Sequence, residues 1–92
     1  MIRSFRHKGL RRLYEEDDPR GVIGEHADKL RRILARLDAA EAVTDMNLPG
    51  YRLRALKGEL AGSHAVTVRA NWRVVFRLER REASEVDYLD YH

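Results

Sequence analysis

The sequence predicts an α+β fold, with an N-terminal strand and two helices packed on one face of an antiparallel sheet of about four strands. Three observations carry that prediction. Residues 24–43 hold an apolar stripe of helical period, the pattern switches to alternation after Gly50, and polar turns cut the remaining chain into a meander. The 92 residues, 43% apolar and 36% charged, suit one folded domain over 1–92 rather than a disordered segment. A chain of this size buries roughly 60–65% of its unfolded surface, which leaves a small core and no room for a separate cofactor domain.

The elements follow in order. Ile2 to Phe5 alternates as a short edge strand, with Ile2 and Ser4 facing one side and Arg3 and Phe5 the other. Gly9 to Glu16 has helical spacing at Leu10, Leu13 and Tyr14, and Asp18-Pro19-Arg20-Gly21 is a turn. From about Gly24 to Val43, Ala27, Leu30, Ile33, Leu34, Leu37 and Ala40 step by three and four, and the other face is charged. Pro49-Gly50 punctuates the chain. Tyr51, Leu53 and Ala55 then alternate with Arg52 and Arg54, and 57–63 form a loop. Val66 and Val68 alternate with Thr67 and Arg69, and Trp72, Val74, Phe76 and Leu78 with Arg73, Val75 and Arg77. Ala70-Asn71 suits a hairpin turn, with Asn as the residue tolerant of a left-handed backbone. Glu79 to Glu82 makes another turn before a last strand from Ser84 to Tyr91, in which Val86, Tyr88 and Asp90 share a face.

Charge is unevenly placed. Lys plus Arg is 18 against 15 acids, and most of the cations are Arg. Residues 51–77 carry Arg52, Arg54, Lys57, Arg69, Arg73 and Arg77 against Glu59 alone. If Trp72, Val74 and Phe76 face the helices, alternation sends Arg73 and Arg77 to the bare face, and the same rule places Arg52 and Arg54 opposite Leu53. Like charges on neighbouring strands destabilise unless something anionic offsets them, and the planar guanidinium matches phosphate. A solvated strand face is the ordinary reading of any one of these arginines; together they point to a phosphate-bearing partner.

Several chemistries are excluded or disfavoured. Without cysteine there is no disulfide or thiolate metal site, and His7, His26, His64 and His92 lack metal-ligand spacing, so no metal or other cofactor is expected. No Gly-rich phosphate loop or nucleophile elbow occurs, and Glu15–Asp18 reads as a solvated acidic cluster. The longest apolar run is three residues and the opening MIRSFRHKG lacks a signal-peptide core, so the expectation is a cytoplasmic protein with no membrane contact. What remains is a site of Lys, Arg, Tyr and His. Those types fit cleavage of RNA by attack of its own 2′-hydroxyl on the adjacent phosphate, for which the protein supplies proton transfer and cations.

Leu56-Lys57-Gly58, Val68-Arg69-Ala70-Asn71-Trp72-Arg73-Val74-Val75-Phe76 and the terminal Asp87-Tyr88-Leu89-Asp90-Tyr91-His92 resemble the HigB-type toxins of the RelE/ParE superfamily. So do the opening Ile2 to Leu10, Leu37-Asp38-Ala39-Ala40 and Leu48-Pro49-Gly50, so the likeness runs from end to end. The resemblance implies a RelE-like fold and a ribosome-dependent endoribonuclease that cuts messenger RNA in the decoding site. It further implies a helix-turn-helix antitoxin of HigA type as neutralising partner, with operator DNA reached only through that complex. It assigns cleavage to Lys57, Arg73, Tyr91 and His92, with Arg54, Arg52, Arg69 and Arg77 as substrate-binding cations.

One departure stands out. Relatives usually carry His where this chain has Arg54, and a guanidinium cannot act as a base because its pKa exceeds about 12. Proton abstraction then passes to Lys57, His64 or His92, of which His92 is the better candidate on an ordinary pKa near ~6.5. His64 stands where relatives tend to carry an aromatic residue. Trp72 and Tyr88 read as core, and Tyr51 as either an RNA-stacking ring or edge packing. Two rivals share the same face: a ParE-like toxin that binds DNA gyrase, and a non-catalytic basic module for nucleic acid.

Overall fold

The apolar stripe of the longer helix sets the architecture, because Leu30, Ile33, Leu34 and Leu37 are all buried against the sheet. The computed structural model describes residues 1–91. Helix α1 is Lys8–Glu16 and α2 is Ala27–Ala39; strands β1 (Arg54–Ala55), β2 (His64–Arg69), β3 (Trp72–Glu79) and β4 (Glu82–Asp90) form one antiparallel sheet in that order. Among the described residues no helix is long and apolar enough to cross a membrane.

Local chemistry fixes the helix ends. His7 caps α1 by accepting the Leu10 N–H on Nδ1 at 3.0 Å. Asp17 closes the helix in the left-handed region (φ 55°), its N–H reaching the Arg12 and Leu13 carbonyls. The start of α1 rests on the Pro19–Gly21 turn through bare backbone: a Cβ on Gly9 would run into the Gly21 carbonyl. The expected helix over 24–43 is shorter. Gly24–His26 forms a single 3-10 turn, and α2 ends at Ala39 because Ala40 takes extended backbone (ψ 136°).

The N-terminal segment lies at the outer edge of β4 through parallel bridges, Ile2 to Ala83 and Phe5 to Val86. Contrary to the expected alternation, Ile2 and Phe5 both pack on the main core. The cause is a bulge in β4. Register slips between Val75 and Arg77, Glu85 takes φ 50°, and Ala83 and Val86, three residues apart, both become fully buried. The segment follows that spacing, its Ser4 Oγ accepting the Glu85 N–H at 2.9 Å.

The core fills the space between helices and sheet: Leu10, Leu13, Leu30, Ile33, Leu34 and Leu37 against Val66, Val68, Val74, Phe76, Val86 and Tyr88. Trp72 and Tyr88 belong to this side, their rings 4.7 Å apart. The hairpin turn differs from expectation in that Ala70, not Asn71, takes positive φ (52°). Arg80 and Arg81 both do so in the next turn, the backbone that matches strand twist in tight hairpins.

Candidate active site

The bare face of the sheet is built by register. Arg54 lies opposite Ala65, Ala65 opposite Val75, and Val75 opposite Asp87; in the adjoining row Thr67 faces Arg73 and Arg73 faces Leu89. Opposed residues share a face, so Arg54, Arg73 and Asp87 stand on one surface. Its floor is a second small cluster of Leu56, Ala65 and Val75, against which Leu60, Leu89 and Tyr91 pack. The Tyr91 N–H bonds the Asn71 carbonyl at 2.8 Å, which prolongs the β3–β4 pairing and holds the phenol ring on this floor. Lys57 is exposed at the start of the Gly58–Leu60 turn, between Leu56 and Leu60, and so sits at the rim.

Arg73 is half-buried and curls back to donate to the Ala70 carbonyl at 2.6 Å and the Trp72 carbonyl at 3.1 Å. Arg77 bonds the Ala61 carbonyl at 3.3 Å, lies 3.8 Å from Glu79, and presses its guanidinium on Gly62 (φ 92°), where a side chain would collide with it. Arg77 therefore ties the 57–63 loop to β3. No carboxylate among the described residues lies within ion-pair distance of Arg54, Arg73 or Lys57. Both bonds come from Nη1, so the backbone carbonyls engage only part of the Arg73 guanidinium, and its charge has no counter-ion among the described residues.

Other sequence-derived candidates land elsewhere. Arg52 takes a left-handed backbone (φ 49°), so strict alternation fails there and β1 shrinks to Arg54–Ala55. Arg52 therefore lies outside the strand that carries Arg54. Arg69 follows a register shift after Thr67 and pairs with Glu25 at 3.4 Å, next to α2. His64 lies opposite Phe76 and stacks on its ring at 6.2 Å, on the helical side, which removes it as a proton acceptor for the bare face. Tyr51 packs on the main core with the Lys29 ammonium 5.4 Å from its ring, the edge-packing alternative. Tyr88 is buried, its hydroxyl 2.6 Å from His26 Nδ1, and burial raises its pKa. His92 falls outside the described residues. Among those described, no group of three His, Cys, Asp or Glu could hold a metal ion.

Sequence reading overlooked one feature. A polar pocket of about 150 Å³ opens on the same face, lined by residues that include Ser63, Val75, Asp87 and Leu89. Its signal lay in the odd-numbered residues of the last strand, since Asp87, Leu89 and Tyr91 alternate with the buried Tyr88.

Two helices on one side of this sheet, with the other side bare, define the class. The fold is that of RelE-like toxins: it superposes on the crystal structure of a heterotetrameric YoeB–YefM toxin–antitoxin complex from Staphylococcus aureus with TM-score 0.59 and 17% identity, covering 100% of this chain and 95% of that one. A second YoeB–YefM complex from that organism gives 0.59 at 15% identity over the same coverage. A family model described as the RelE-like toxin HigB of type II toxin–antitoxin systems matches residues 3–92, and the chain belongs to this HigB-like toxin family. The endoribonuclease HigB of Proteus vulgaris is 39% identical to it over 92 residues, 100% of both chains.

Proposed function

We propose that this toxin is an endoribonuclease that cuts messenger RNA in the decoding site of the 70S ribosome. The supporting observation is one face that carries Arg54, Arg73 and Tyr91, with Lys57 at its rim and no carboxylate among the described residues paired to those cations. The 2′-oxygen of the substrate attacks the adjacent phosphorus, the bond to the 5′-oxygen breaks, and a cyclic phosphate and a 5′-hydroxyl result. Arg73 and Arg54 offset charge developing on the phosphoryl oxygens, and Tyr91 gives a proton to the departing oxygen. Lys57 either steadies the phosphate as its ammonium, with His92 taking the 2′-proton, or takes that proton itself from the neutral amine, now that His64 is on the other face. Arg77 serves the site by holding its loop.

Residues 1–92 act as one toxin domain in the cytoplasm. Its antitoxin is of HigA type, and operator DNA is reached only through their complex. The relative's identity as an endoribonuclease favours this reading over gyrase binding or binding without chemistry. Toeprinting on translating ribosomes tests it. Wild-type protein cuts the message, and Arg73→Ala lowers the rate by about 10²–10³, the typical loss on removing one preorganised charge-stabilising group. Intact message with wild-type protein, or undiminished cutting by both Arg73→Ala and Lys57→Ala, rejects it.

A further inference from the structure

Three successive carbonyls of the β2–β3 turn seat two residues of the site. Ala70 and Trp72 accept from Arg73 Nη1 at 2.6 and 3.1 Å, and Asn71, between them, accepts the Tyr91 N–H at 2.8 Å. Whatever fixes residues 70–72 therefore fixes where Arg73 and Tyr91 stand. We infer that His26, buried on the helical side, is a positioning residue for this pair and acts through Tyr88 and Trp72. The inference rests on the endoribonuclease reading for what the positioning serves, and not for the brace itself.

The direction of the side chain carries the argument. Both helices are preceded by a histidine. His7 uses Nδ1 to accept the Leu10 N–H of its own helix, whereas His26 makes no side-chain bond to α2. Its Nδ1 lies instead 2.6 Å from the Tyr88 hydroxyl of the sheet. His26 is 6% exposed and Tyr88 4%. At that depth, losing one partner leaves a buried polar group short of a bond, so the contact is costly to break. An apolar side chain would fill the same space, but a satisfied polar pair fixes direction as well as volume.

From this pair to the turn the path is short. The Trp72 ring centroid lies 4.7 Å from that of Tyr88 and 5.8 Å from that of His26. Register sets the three rings directly behind the site, with Trp72 opposite Asp90, Arg73 opposite Leu89 and Val74 opposite Tyr88. Side chains alternate across a sheet, so Trp72 and Tyr88 point to the helices while Arg73 and Leu89, next to them in the chain, point to the bare face. A displaced Trp72 thus moves the carbonyls on which Arg73 rests. Glu25, the residue before His26, pairs with Arg69 at 3.4 Å, an exposed contact worth little alone. Together, residues 25 and 26 reach the end of β2 and the start of β3, one on each side of the turn.

Cleavage on programmed ribosomes and amide hydrogen exchange on the free full chain read the two halves of the claim separately. His26→Ala should lower the single-turnover rate at saturating toxin about tenfold, as small misplacements of reacting groups do, and leave the half-saturating concentration within about twofold. In the free chain the Tyr91 amide should exchange several-fold faster. His26→Asn returns a polar atom near the place of Nδ1 and should recover most of the rate and of the protection. Tyr88→Phe keeps the ring and removes only the hydroxyl, so it gives the same signature should His26→Ala fold poorly. Ile2→Ala loosens the core beside Ala83, at the other end of β4, and should leave the saturated rate unchanged. An unchanged saturated rate or unchanged Tyr91 exchange in the folded variants, a loss confined to half-saturation, or an equal loss of rate in Ile2→Ala overturns the inference. Wild-type protein that leaves message intact would refute the nuclease reading, while faster Tyr91 exchange in the variants would still uphold the brace; normal cutting by wild type and by both brace variants would do the reverse.

Discussion

On the helical side, Arg11, Arg20 and Arg31 each meet a carboxylate, at 3.8 Å from Glu15, 2.8 Å from Asp18 and 2.8 Å from Asp17. On the bare side Arg54, Arg73 and Lys57 meet none among the described residues. The two sides also differ in depth. Phe76 is wholly enclosed beneath two helices, whereas Val75, next in the chain, sits in a cluster of only three buried residues. One side is organised to be stable alone, while the other holds positive charge that an incoming phosphate would neutralise. Burial on the first and, among the described residues, cations without an ion pair at Arg54 and Arg73 on the second share the same sheet.

The comparison breaks most readily at β3. Phe76→Ala is expected to cost about 3–5 kcal/mol in urea unfolding, against roughly 1–2 kcal/mol for Val75→Ala in the shallower cluster; equal costs would mean the bare side is a second full core. Arg73→Ala separates function from stability. Its loss of cleavage, about 10²–10³, should accompany a loss of only ~1 kcal/mol in unfolding, because two bonds to backbone carbonyls disappear. A stability loss large enough to explain the inactivity would make Arg73 a turn latch instead.

Salt sharpens the same contrast. Each single-strand phosphate contact contributes about −0.7 to the slope of log affinity against log salt. Arg54→Ala should flatten the slope for message binding on the ribosome, while Arg31→Ala leaves it unchanged and alters unfolding by less than about 1 kcal/mol. The smallest effect is acid-side. The Arg20 guanidinium and N–H hold the Asp18 carboxyl down at about 2 from its ordinary 3.8. A depressed carboxyl contributes stability that is complete above its unfolded pKa and lost as pH falls through 3.8 towards 2. The slope of melting temperature against pH in that window should be shallower in Asp18→Asn, and an unchanged slope would remove this pair from the acid response.

Much of this was readable from local pattern. The stripe Leu30, Ile33, Leu34, Leu37 and the alternation from Trp72 to Leu78 gave correct burial, because each depends on a period within one element. Errors fell where a distant segment decided the backbone. Glu85 bulges where the N-terminal segment joins β4, Arg52 turns left-handed where Tyr51 passes its carbonyl to Thr67, and Arg69 slips register and reaches Glu25. His64 stays open in the sequence, as a proton acceptor second to His92 or as a packing residue, because a side chain's chemistry is visible there while the face it occupies follows from pairing with Phe76.

Taken alone, the chain determined its element types, its supply of arginines and the family it resembles, since these follow from composition, short-range periodicity and motif. Folding in three dimensions decided which of those cations stand together, that Ser63 and Asp87 line one hollow, and that Arg77 is bound to a loop. Face membership depends on cross-strand register, and register is set by residues far apart along the backbone.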